Sequence, residues 1–269
     1  THKGINRSLP LRGKIMPLAV IREVSPRFNE CEITHIERTP IDVEVARAQH
    51  RGYVDALKEL GCDILELPAQ ADLPDSVFVE DTAFILPETA VITRPGADSR
   101  KPETESITRA LSPHLPLLFL REPATLDGGD VLVVGKRIFV GISTRSNGEA
   151  IRQLQELLGG YGCTVSGVLL HDCLHLKSAV TRVDDNTLLI NPNWVDVSYF
   201  ANYNLIEVDA SEPNAANCLP VGDSIIFPAA FPKTRTKLEE HGRKILPVKV
   251  DELAKAEGAV TCCSVLVST

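Results

Sequence analysis

The sequence predicts an α/β protein whose strand-and-helix units form a closed ring around a central axis. Short β-type segments recur along the chain and are usually followed by an amphipathic, helix-type segment. Matching points of successive units, at Val79, Val131, Ala179 and Leu219, are separated by 52, 48 and 40 residues. A self-similar period of this length indicates repeated units packed side by side. Strand-type segments left over at the two ends of the chain can pair with each other and complete the ring.

The expected elements follow from residue patterns read in chain order. A turn signal separates two β-type runs in the second and third units, PET at 87–89 and GK at 135–136, and glycines stop the helix pattern at 159–160. The elements are a strand over 18–24 and a helix over 41–61, strands within 76–96 and a helix over 103–112, strands within 128–143 and a helix over 148–160, strands within 176–192, strands within 217–228 and a helix over 236–242, and a strand over 260–268.

Four full units are visible in this pattern, and the terminal segments are expected to supply the fifth. Pairing the strand at 18–24 with the strand at 260–268 would remove an exposed sheet edge. A single closed domain over 16–269 is therefore favoured over two domains, because no low-complexity linker interrupts the chain. Residues 1–15 are expected to be a cloning remnant or a flexible N-terminus, since they lack the apolar stretch of a secretory signal.

Composition narrows the classes of function. The 269 residues are 43% hydrophobic and carry a net charge of −8 without any long block of like charges, which excludes the basic surface typical of nucleic-acid binding. No apolar run approaches the roughly 20 residues that a membrane helix needs. The seven cysteines are an odd number at irregular spacings, which favours neither a disulfide framework nor a structural zinc site. We therefore expect a cytoplasmic protein that binds a small solute.

Polar residues interrupt the apolar inner strand of each unit. In a ring of repeated units these strands converge on the axis, so polar side chains there would face a shared central cavity. That cavity is where we expect the chemistry. The residues concerned are Glu80, Asp81, Asp127, Asp130, His175, Lys177, Asn217 and Cys262.

Several of these residues also allow a purely structural explanation. A cysteine in a β-type run is usually a small core residue, and the adjacent Cys262 and Cys263 would point to opposite faces of a strand. His171 and His175 are four residues apart without a helical pattern, which is weak support for a metal site. The acids of LDGGDV at 126–131 could simply form a tight turn. The residues alone leave these alternatives open.

The acids Asp75, Glu80 and Asp81 could likewise form a solvated turn. Carboxylates at a cavity mouth could instead bind a planar cation such as guanidinium through paired, charge-assisted hydrogen bonds. A substrate carboxylate would then need an arginine, although each arginine alone could be a surface residue. The candidates are Arg94, Arg100 and Arg145.

Taken together, seven ordered motifs resemble the dimethylarginine dimethylaminohydrolases of the guanidine-modifying, or pentein, superfamily. The motifs are SVFVEDTAFI, ITRPGADSR, ATLDGGDVL, FVGISTRSN, LHLKS, NAANC and TCCSVL. The resemblance covers about Leu73 to Val267, with weaker similarity back to Leu18. It implies a five-bladed α/β propeller, in agreement with the number of units inferred from the repeats.

The resemblance also implies roles for individual residues. It implies a catalytic triad of Asp127, His175 and Cys262, while Cys263 falls at a variable position and Asn217 has no assigned role. It further implies three groups of substrate contacts. Asp75, Glu80 and Asp81 would contact the guanidinium and amino groups, Arg100 and Arg145 would hold the carboxylate, and Val24 and Ala256 would contribute main-chain contacts.

The activity implied is hydrolysis of N-omega-methylated arginines, asymmetric dimethylarginine and monomethylarginine, to citrulline and an amine. Cys262 would attack the guanidinium carbon and form a thiouronium intermediate, His175 would protonate the departing amine, and no metal or organic cofactor would be needed. A homodimer is one assembly we consider. The alternatives are an arginine deiminase or amidinotransferase of the same fold, a non-catalytic protein that binds cationic amino acids, and, least favoured, a zinc-binding regulator using Cys262 and His175.

Overall fold

The computed structural model describes residues 17–267, so the expectation for residues 1–15 lies outside the described part. Within that part, the strands form five three-stranded sheets. The strands are β1 (Leu18–Arg22), β2 (Asp63–Leu67), β3 (Ala83–Leu86), β4 (Thr89–Ile92), β5 (Leu117–Phe119), β6 (Val131–Val134), β7 (Arg137–Ile142), β8 (Thr164–Leu169), β9 (Val180–Arg182), β10 (Thr187–Ile190), β11 (Asn204–Glu207), β12 (Leu219–Val221), β13 (Ser224–Pro228), β14 (Lys244–Val248) and β15 (Val265–Val267). The helices are α1 (Val43–Glu59), α2 (Glu103–Leu111), α3 (Gly148–Leu158), α4 (Leu176–Ala179), α5 (Pro232–Glu240) and α6 (Asp251–Ala254).

The five sheets repeat one pattern of pairing. In the second unit, β3 pairs antiparallel with β4 and β4 pairs parallel with β5. The units β6–β8, β9–β11 and β12–β14 follow the same order. The first unit takes β15 from the chain end, which pairs antiparallel with β1 from Leu18↔Val267 onward. This pairing confirms that the two terminal segments together complete one unit, as predicted, and it closes the ring of five units.

Apolar clusters lie between neighbouring units and hold the ring together. One cluster joins Val20 and Val265 of the first unit to Ile92 of the second. Another joins Leu189 of the fourth unit to Ile225 of the fifth. The remaining three clusters join the other neighbouring pairs. Each unit therefore buries apolar surface on two sides, which a single three-stranded unit could not do alone.

Helix boundaries follow local capping chemistry. The Asp42 carboxylate caps α1 by accepting from the backbone N–H groups of Glu44 and Val45. Asn147 caps α3 through Ala150 in the same way. The last predicted helix begins earlier than expected, at Pro232, because proline is well suited to the first helical position. None of the helices in residues 17–267 has the length and apolar character that crossing a bilayer requires.

In the fourth unit, where the sequence predicts strands but no helix, a 3-10 turn at Val197–Phe200 lies between β10 and β11. The first strands begin later than predicted, because helical turns occupy Val79–Thr82, Gly128–Asp130 and Leu176–Ala179. At the chain end only Val265–Val267 is a strand, so Cys262 and Cys263 lie in a turn and do not alternate across a sheet.

Candidate active site

The candidate residues lie in the turns that precede the first strands of the units. First strands of neighbouring units contact one another, β15 with β3, β6 with β9 and β9 with β12, so these turns gather around the axis. Asp81 precedes β3, Asp127 precedes β6, His175 precedes β9, Asn217 precedes β12 and Cys262 precedes β15. A turn leaves backbone N–H and C=O groups free to face a common space, whereas a strand would use them for pairing.

Most of the predicted site residues border one narrow cavity of about 20 Å³. A space of this size holds about one water molecule. The cavity is lined by Glu32, Asp75, Phe78, Asp81, Arg100, Arg145, Leu174, His175, Ala256, Glu257, Gly258 and Cys262. The structure therefore brings together the thiol, the imidazole, two carboxylates and two guanidinium groups that the sequence placed far apart.

His175 and Asp127 form the predicted imidazole–carboxylate pair. The Nε2 atom of His175 lies 3.3 Å from Oδ2 of Asp127, which is fully buried. The other oxygen of Asp127 accepts from the backbone N–H of Gly96 at 2.8 Å. Asp130 holds the adjacent backbone, since its Oδ1 accepts from the N–H of Leu176 at 3.0 Å. Both acids of LDGGDV therefore position His175: Asp127 contacts its ring, and Asp130 holds the backbone of the next residue.

The two glycines of LDGGDV are required by close contacts. A Cβ on Gly128 would lie 1.9 Å from the carbonyl oxygen of Glu80. A Cβ on Gly129 would lie 2.6 Å from Nδ1 of His175 and 2.9 Å from Oδ1 of Asp81. The double glycine therefore lets the Asp127 turn approach both the carboxylate turn and the imidazole.

We expect alanine at these two positions to have different effects. Gly128→Ala meets backbone that cannot move aside and should destabilise the fold by roughly 1–3 kcal/mol or more, whereas Gly129→Ala should displace the imidazole and lower turnover. Gly148, around which a Cβ meets nothing within 4 Å, is the control. Chemical denaturation and steady-state rates measure the two effects. Wild-type turnover in Gly129→Ala would contradict the assigned contact.

Arg100 neutralises the carboxylates of the second unit. Its Nη1 lies 2.5 Å from Oδ2 of Asp81, and its Nη2 donates to Glu103 at 2.8 Å. Nη2 also donates to the carbonyl oxygen of Phe78 at 3.1 Å. Burial opposes ionisation of Asp81, but Arg100 and His175 outweigh it and hold the pKa of this carboxyl at about 2. Asp81 is therefore a carboxylate at any ordinary pH.

Asp75 and Arg145 hold the loop at residues 32–36, which borders the cavity through Glu32. The Asp75 carboxylate accepts from the backbone N–H of Glu32 at 3.1 Å, and Arg145 Nη2 donates to Thr34 Oγ1 at 2.9 Å. Three successive N–H groups, at residues 34–36, donate to the Glu257 carboxylate. The cavity beneath, at about 20 Å³, is much smaller than an arginine-sized ligand.

Two of the predicted contact residues do not line this cavity. Glu80 turns away and is held by Lys177 and by Thr261 Oγ1, the latter at 2.8 Å. Val24 is buried in the apolar cluster between the first and fifth units. Arg94, another arginine considered from the sequence, donates to the carbonyl oxygen of Ala124 outside the cavity.

All seven cysteines lie in the described residues and are free, and Cys262 is the one that is mostly but not fully buried. Burial, reinforced by Glu80 and Asp81, raises the pKa of the Cys262 thiol to about 12. Burial alone would lower the pKa of His175, but Asp130, Asp81 and Asp127 outweigh it and raise that pKa to about 9. The resting site therefore contains a neutral thiol and a protonated imidazole at neutral pH.

Asp81, Asp127 and His175 also offer ligand atoms within 4.8 Å of one another, a spacing that a metal ion could bridge. Arg100 already pairs with Asp81, and Arg145 lies 3.8 Å from Asp127. A protonated imidazole cannot act as a ligand. The charges around this cluster suit proton transfer better than metal binding.

Sequence reasoning missed Glu103 and Glu257. Glu103 follows Arg100 by three residues, a spacing typical of a local ion pair, so the sequence contained a signal for it. Glu257 contacts backbone more than 200 residues away, and no local pattern indicates such a contact.

Comparison with known proteins places this chain in a family. Residues 28–188 match the family described as N,N dimethylarginine dimethylhydrolase, eukaryotic. The N(G),N(G)-dimethylarginine dimethylaminohydrolase of Pseudomonas aeruginosa is 37% identical over 83% of this chain and 89% of its own length. The Streptomyces coelicolor protein of the same description is 38% identical over 92% of this chain and 95% of its own length.

Solved structures agree with the sequence comparison. A cysteine-to-serine variant of the Pseudomonas aeruginosa enzyme, complexed with citrulline, matches with a TM-score of 0.88 and 33% identity over 93% of this chain and 99% of that chain. The N-terminal domain of ArgZ, a cyanobacterial arginine dihydrolase, matches with a TM-score of 0.79 at 20% identity over 94% of this chain and 97% of that chain, a likeness in fold alone. These matches confirm the five-unit α/β propeller. The chain belongs to the dimethylarginine dimethylaminohydrolase family.

Proposed function

We propose that this protein hydrolyses N-omega-methylated arginines, asymmetric dimethylarginine and monomethylarginine, to citrulline and dimethylamine or methylamine. One observation carries the proposal. A thiol, an imidazole paired with a buried carboxylate, and a further carboxylate paired with Arg100 border the same small cavity. The related enzymes named for this reaction, one of them complexed with citrulline, support the choice of substrate.

Substrate recognition is assigned to the acids of the cavity. A guanidinium ion is planar and donates pairs of hydrogen bonds, which matches the two oxygens of a carboxylate. Asp81 is ionised and fixed by Arg100 and by the N–H of Gly129 at 2.9 Å, so it is the main partner for the guanidinium. Asp75 borders the same cavity and is the second partner. Together they hold the guanidinium carbon in place for attack.

Arg145 is the better of the two arginines for the substrate carboxylate. Its contacts are a threonine hydroxyl and a carboxylate 3.8 Å away, so ligand oxygens can replace them at low cost. Arg100 is held by two carboxylates and two carbonyl oxygens. For Arg100 we propose contact with the ligand through its remaining N–H only. Ala256 borders the cavity and is the proposed main-chain contact, whereas Val24 and Glu80 would need the loop and turn to move.

The cationic substrate helps to ionise the nucleophile. In the resting site the charges of Glu80 and Asp81 oppose thiolate formation at Cys262. A guanidinium ion bound to Asp81 offsets that negative field, so it stabilises the thiolate at the moment when attack is possible. The thiol proton passes to solvent, and the thiolate adds to the guanidinium carbon. A carbon–sulfur bond forms as the electron pair of one carbon–nitrogen π bond moves onto nitrogen.

His175 transfers the protons in both halves of the reaction. Its imidazolium donates a proton to the departing amine, which leaves a thiouronium ion on Cys262 and a neutral imidazole. That imidazole, oriented by Asp127, next removes a proton from water as the water attacks the same carbon. The carbon–sulfur bond then breaks, the new hydroxyl group becomes the carbonyl of citrulline, and its proton passes to the departing sulfur. The thiol and imidazolium are thereby restored.

The pH dependence follows from the direction of the His175 shift. Since its pKa is raised to about 9, the imidazolium donor persists through neutral pH and is lost as pH rises through that value. We expect kcat/KM to fall on the alkaline side with a limb near this pH. Asp130 is the carboxylate that contributes most to the raised pKa of His175, so Asp130→Asn should move the limb to lower pH. An unchanged limb in that variant would contradict the assignment.

Product analysis tests the function directly. The protein is incubated separately with asymmetric dimethylarginine, monomethylarginine and arginine, and citrulline and the released amine are quantified. We expect citrulline with dimethylamine or methylamine in equal amounts. Release of ammonia from arginine with a higher kcat/KM than for the methylated arginines would favour a deiminase. Transfer of the amidino group to an added amine, without formation of citrulline, would favour an amidinotransferase. Binding of these ligands without any product would indicate a cationic amino-acid binding protein.

Two further proposals concern where the protein works and how it assembles. All of its cysteines in the described residues are free thiols, which supports a reducing compartment such as the cytoplasm. We also propose a homodimer, with the exposed neighbours Ile142 and Leu169, paired across β7 and β8, as apolar surface for the contact. Sedimentation of the wild type and of Leu169→Asp tests this assembly.

A further inference from the structure

Four polar side chains from four different units meet beside the nucleophile without lining the catalytic cavity. They are Glu80 of the second unit, Lys177 of the fourth, Asn217 of the fifth and Thr261 of the first. Each lies in the turn before the first strand of its unit. We call them the axial cluster, and Asn217 is its central member.

Asn217 uses its amide fully within this cluster. Its Nδ2 donates to the carbonyl oxygen of Lys177 at 3.0 Å and to Oγ1 of Thr261 at 3.0 Å. Its Oδ1 accepts from the backbone N–H of Thr261 at 3.1 Å. A backbone acceptor on one side and a backbone donor on the other determine the orientation of the amide. Only 4% of Asn217 is exposed, so these bonds do not compete with water.

The partners of Asn217 lie next to the two reacting residues. Thr261 immediately precedes Cys262, and Lys177 follows His175 by two residues within the same turn. The cluster also reaches the nucleophile by a second route, because Thr261 Oγ1 donates to Glu80 Oε2 at 2.8 Å and the Glu80 N–H donates to the Cys262 carbonyl oxygen at 3.2 Å. Asn217 therefore connects the turn of the thiol to the turn of the imidazole.

We propose that Asn217 is a positioning residue for the reaction: its amide keeps the Cys262 turn and the His175 turn at the separation that thiol attack and proton transfer require. This inference rests on the proposed function and deepens it, because it names a residue that acts through the nucleophile and not through the substrate. Asn217 would accordingly affect the chemical steps more than substrate binding.

The test replaces Asn217 by leucine, which has a similar size and cannot form the three bonds. The matched control is Asn191→Leu. Asn191 is also fully buried and also bridges backbone groups, donating to the Pro213 carbonyl oxygen at 2.8 Å and accepting from the Asn193 N–H at 3.0 Å, but it lies outside the axial cluster. Both variants lose comparable hydrogen bonds, so a general loss of stability affects them alike.

We expect Asn217→Leu to lower kcat by roughly 10- to 100-fold, since small misplacements of reacting groups have effects of that order. KM should change less than about threefold, because the groups that bind the substrate are untouched. Asn191→Leu should retain wild-type kcat per folded molecule. Equal kcat in Asn217→Leu and wild type, or equal losses in both variants, would overturn the proposal.

A second measurement does not depend on turnover. Alkylation of Cys262 by iodoacetamide is followed by mass spectrometry as a function of pH in the wild type and both variants. When the turn loosens, the thiol moves away from Glu80 and Asp81, so the midpoint should shift down towards that of an ordinary thiol in Asn217→Leu only. If the wild type made no citrulline, this shift would still decide the inference, and an unchanged midpoint would overturn it.

The neighbouring threonine offers a test should Asn217→Leu fail to fold. Thr261→Val removes the hydroxyl that links Asn217 to Glu80, and Thr261→Ser keeps it. We expect the valine variant to lose kcat and the serine variant to regain most of it. Equal kcat in the two variants would contradict a role for this hydrogen-bonded link.

Discussion

Cys262→Ser is expected to lower kcat by a factor on the order of 10⁴ or more while leaving the fold intact, as found when other covalent nucleophiles are removed. A serine hydroxyl is far less acidic than a thiol, and the bound guanidinium cannot compensate for that difference. The variant should still bind substrate, because Asp75, Asp81 and Arg145 are unchanged. Steady-state rates, calorimetric binding and circular dichroism measure these three properties.

Cys263→Ala is the matched control for the nucleophile. Cys263 is fully buried, and its Sγ contacts the Ala259 carbonyl oxygen at 3.6 Å. Alanine in its place should cost about 1 kcal/mol of unfolding free energy, or a little more, through lost packing, and turnover should persist. Normal activity in Cys262→Ser, or loss of activity in Cys263→Ala at full stability, would reassign the nucleophile.

His175→Gln is expected to slow turnover by roughly 10²–10⁴-fold, the range typical of a lost general acid. Glutamine retains a polar side chain of similar reach but cannot donate a proton to the amine or accept one from water. The alkaline limb assigned to His175 should disappear from the kcat/KM profile of the residual activity.

A substrate with a better leaving group separates the two roles of His175. S-methyl-L-thiocitrulline, which forms an adduct with a histidine-to-glycine variant of a related enzyme, releases a thiol that needs less help from an acid. With His175→Gln we expect a covalent adduct on Cys262 to accumulate, since attack proceeds and hydrolysis does not. Mass spectrometry of the intact protein detects it. Rapid turnover of this compound without an adduct would show that another group activates the water.

Much of the fold could be predicted from the sequence because the signal is repeated. Successive units carry a similar pattern at similar spacing, so an ambiguous segment is supported by its counterparts. The pairing of β1 with β15 followed from the need to close the ring. The short turns before the first strands were read as strands because segments such as SVFV and VTCC are apolar and β-branched. Packing around the axis overrides that local preference.

The candidate site was less predictable, and the reason is visible in Glu80 and Asp81. These adjacent acids carry the same functional group, yet Glu80 pairs with Lys177, whereas Asp81 pairs with Arg100 and lines the cavity. The direction of each side chain depends on the helical turn at Val79–Thr82, and residues that pack against this turn come from other units. Arg100 shows the same limit, because its buried ion pairs involve residues 19 positions before it and 3 positions after it.

Local patterns and motifs of adjacent residues are sufficient to predict the repeated α/β units, the ring that they form and the set of acids, histidine and cysteine available to the site. Packing of the units is needed to show which of those groups share a cavity, that Glu257 holds the loop at residues 34–36, and that Asn217 joins the turns of Cys262 and His175. Such contacts connect residues tens to hundreds of positions apart, and they arise only when all the units pack around one axis.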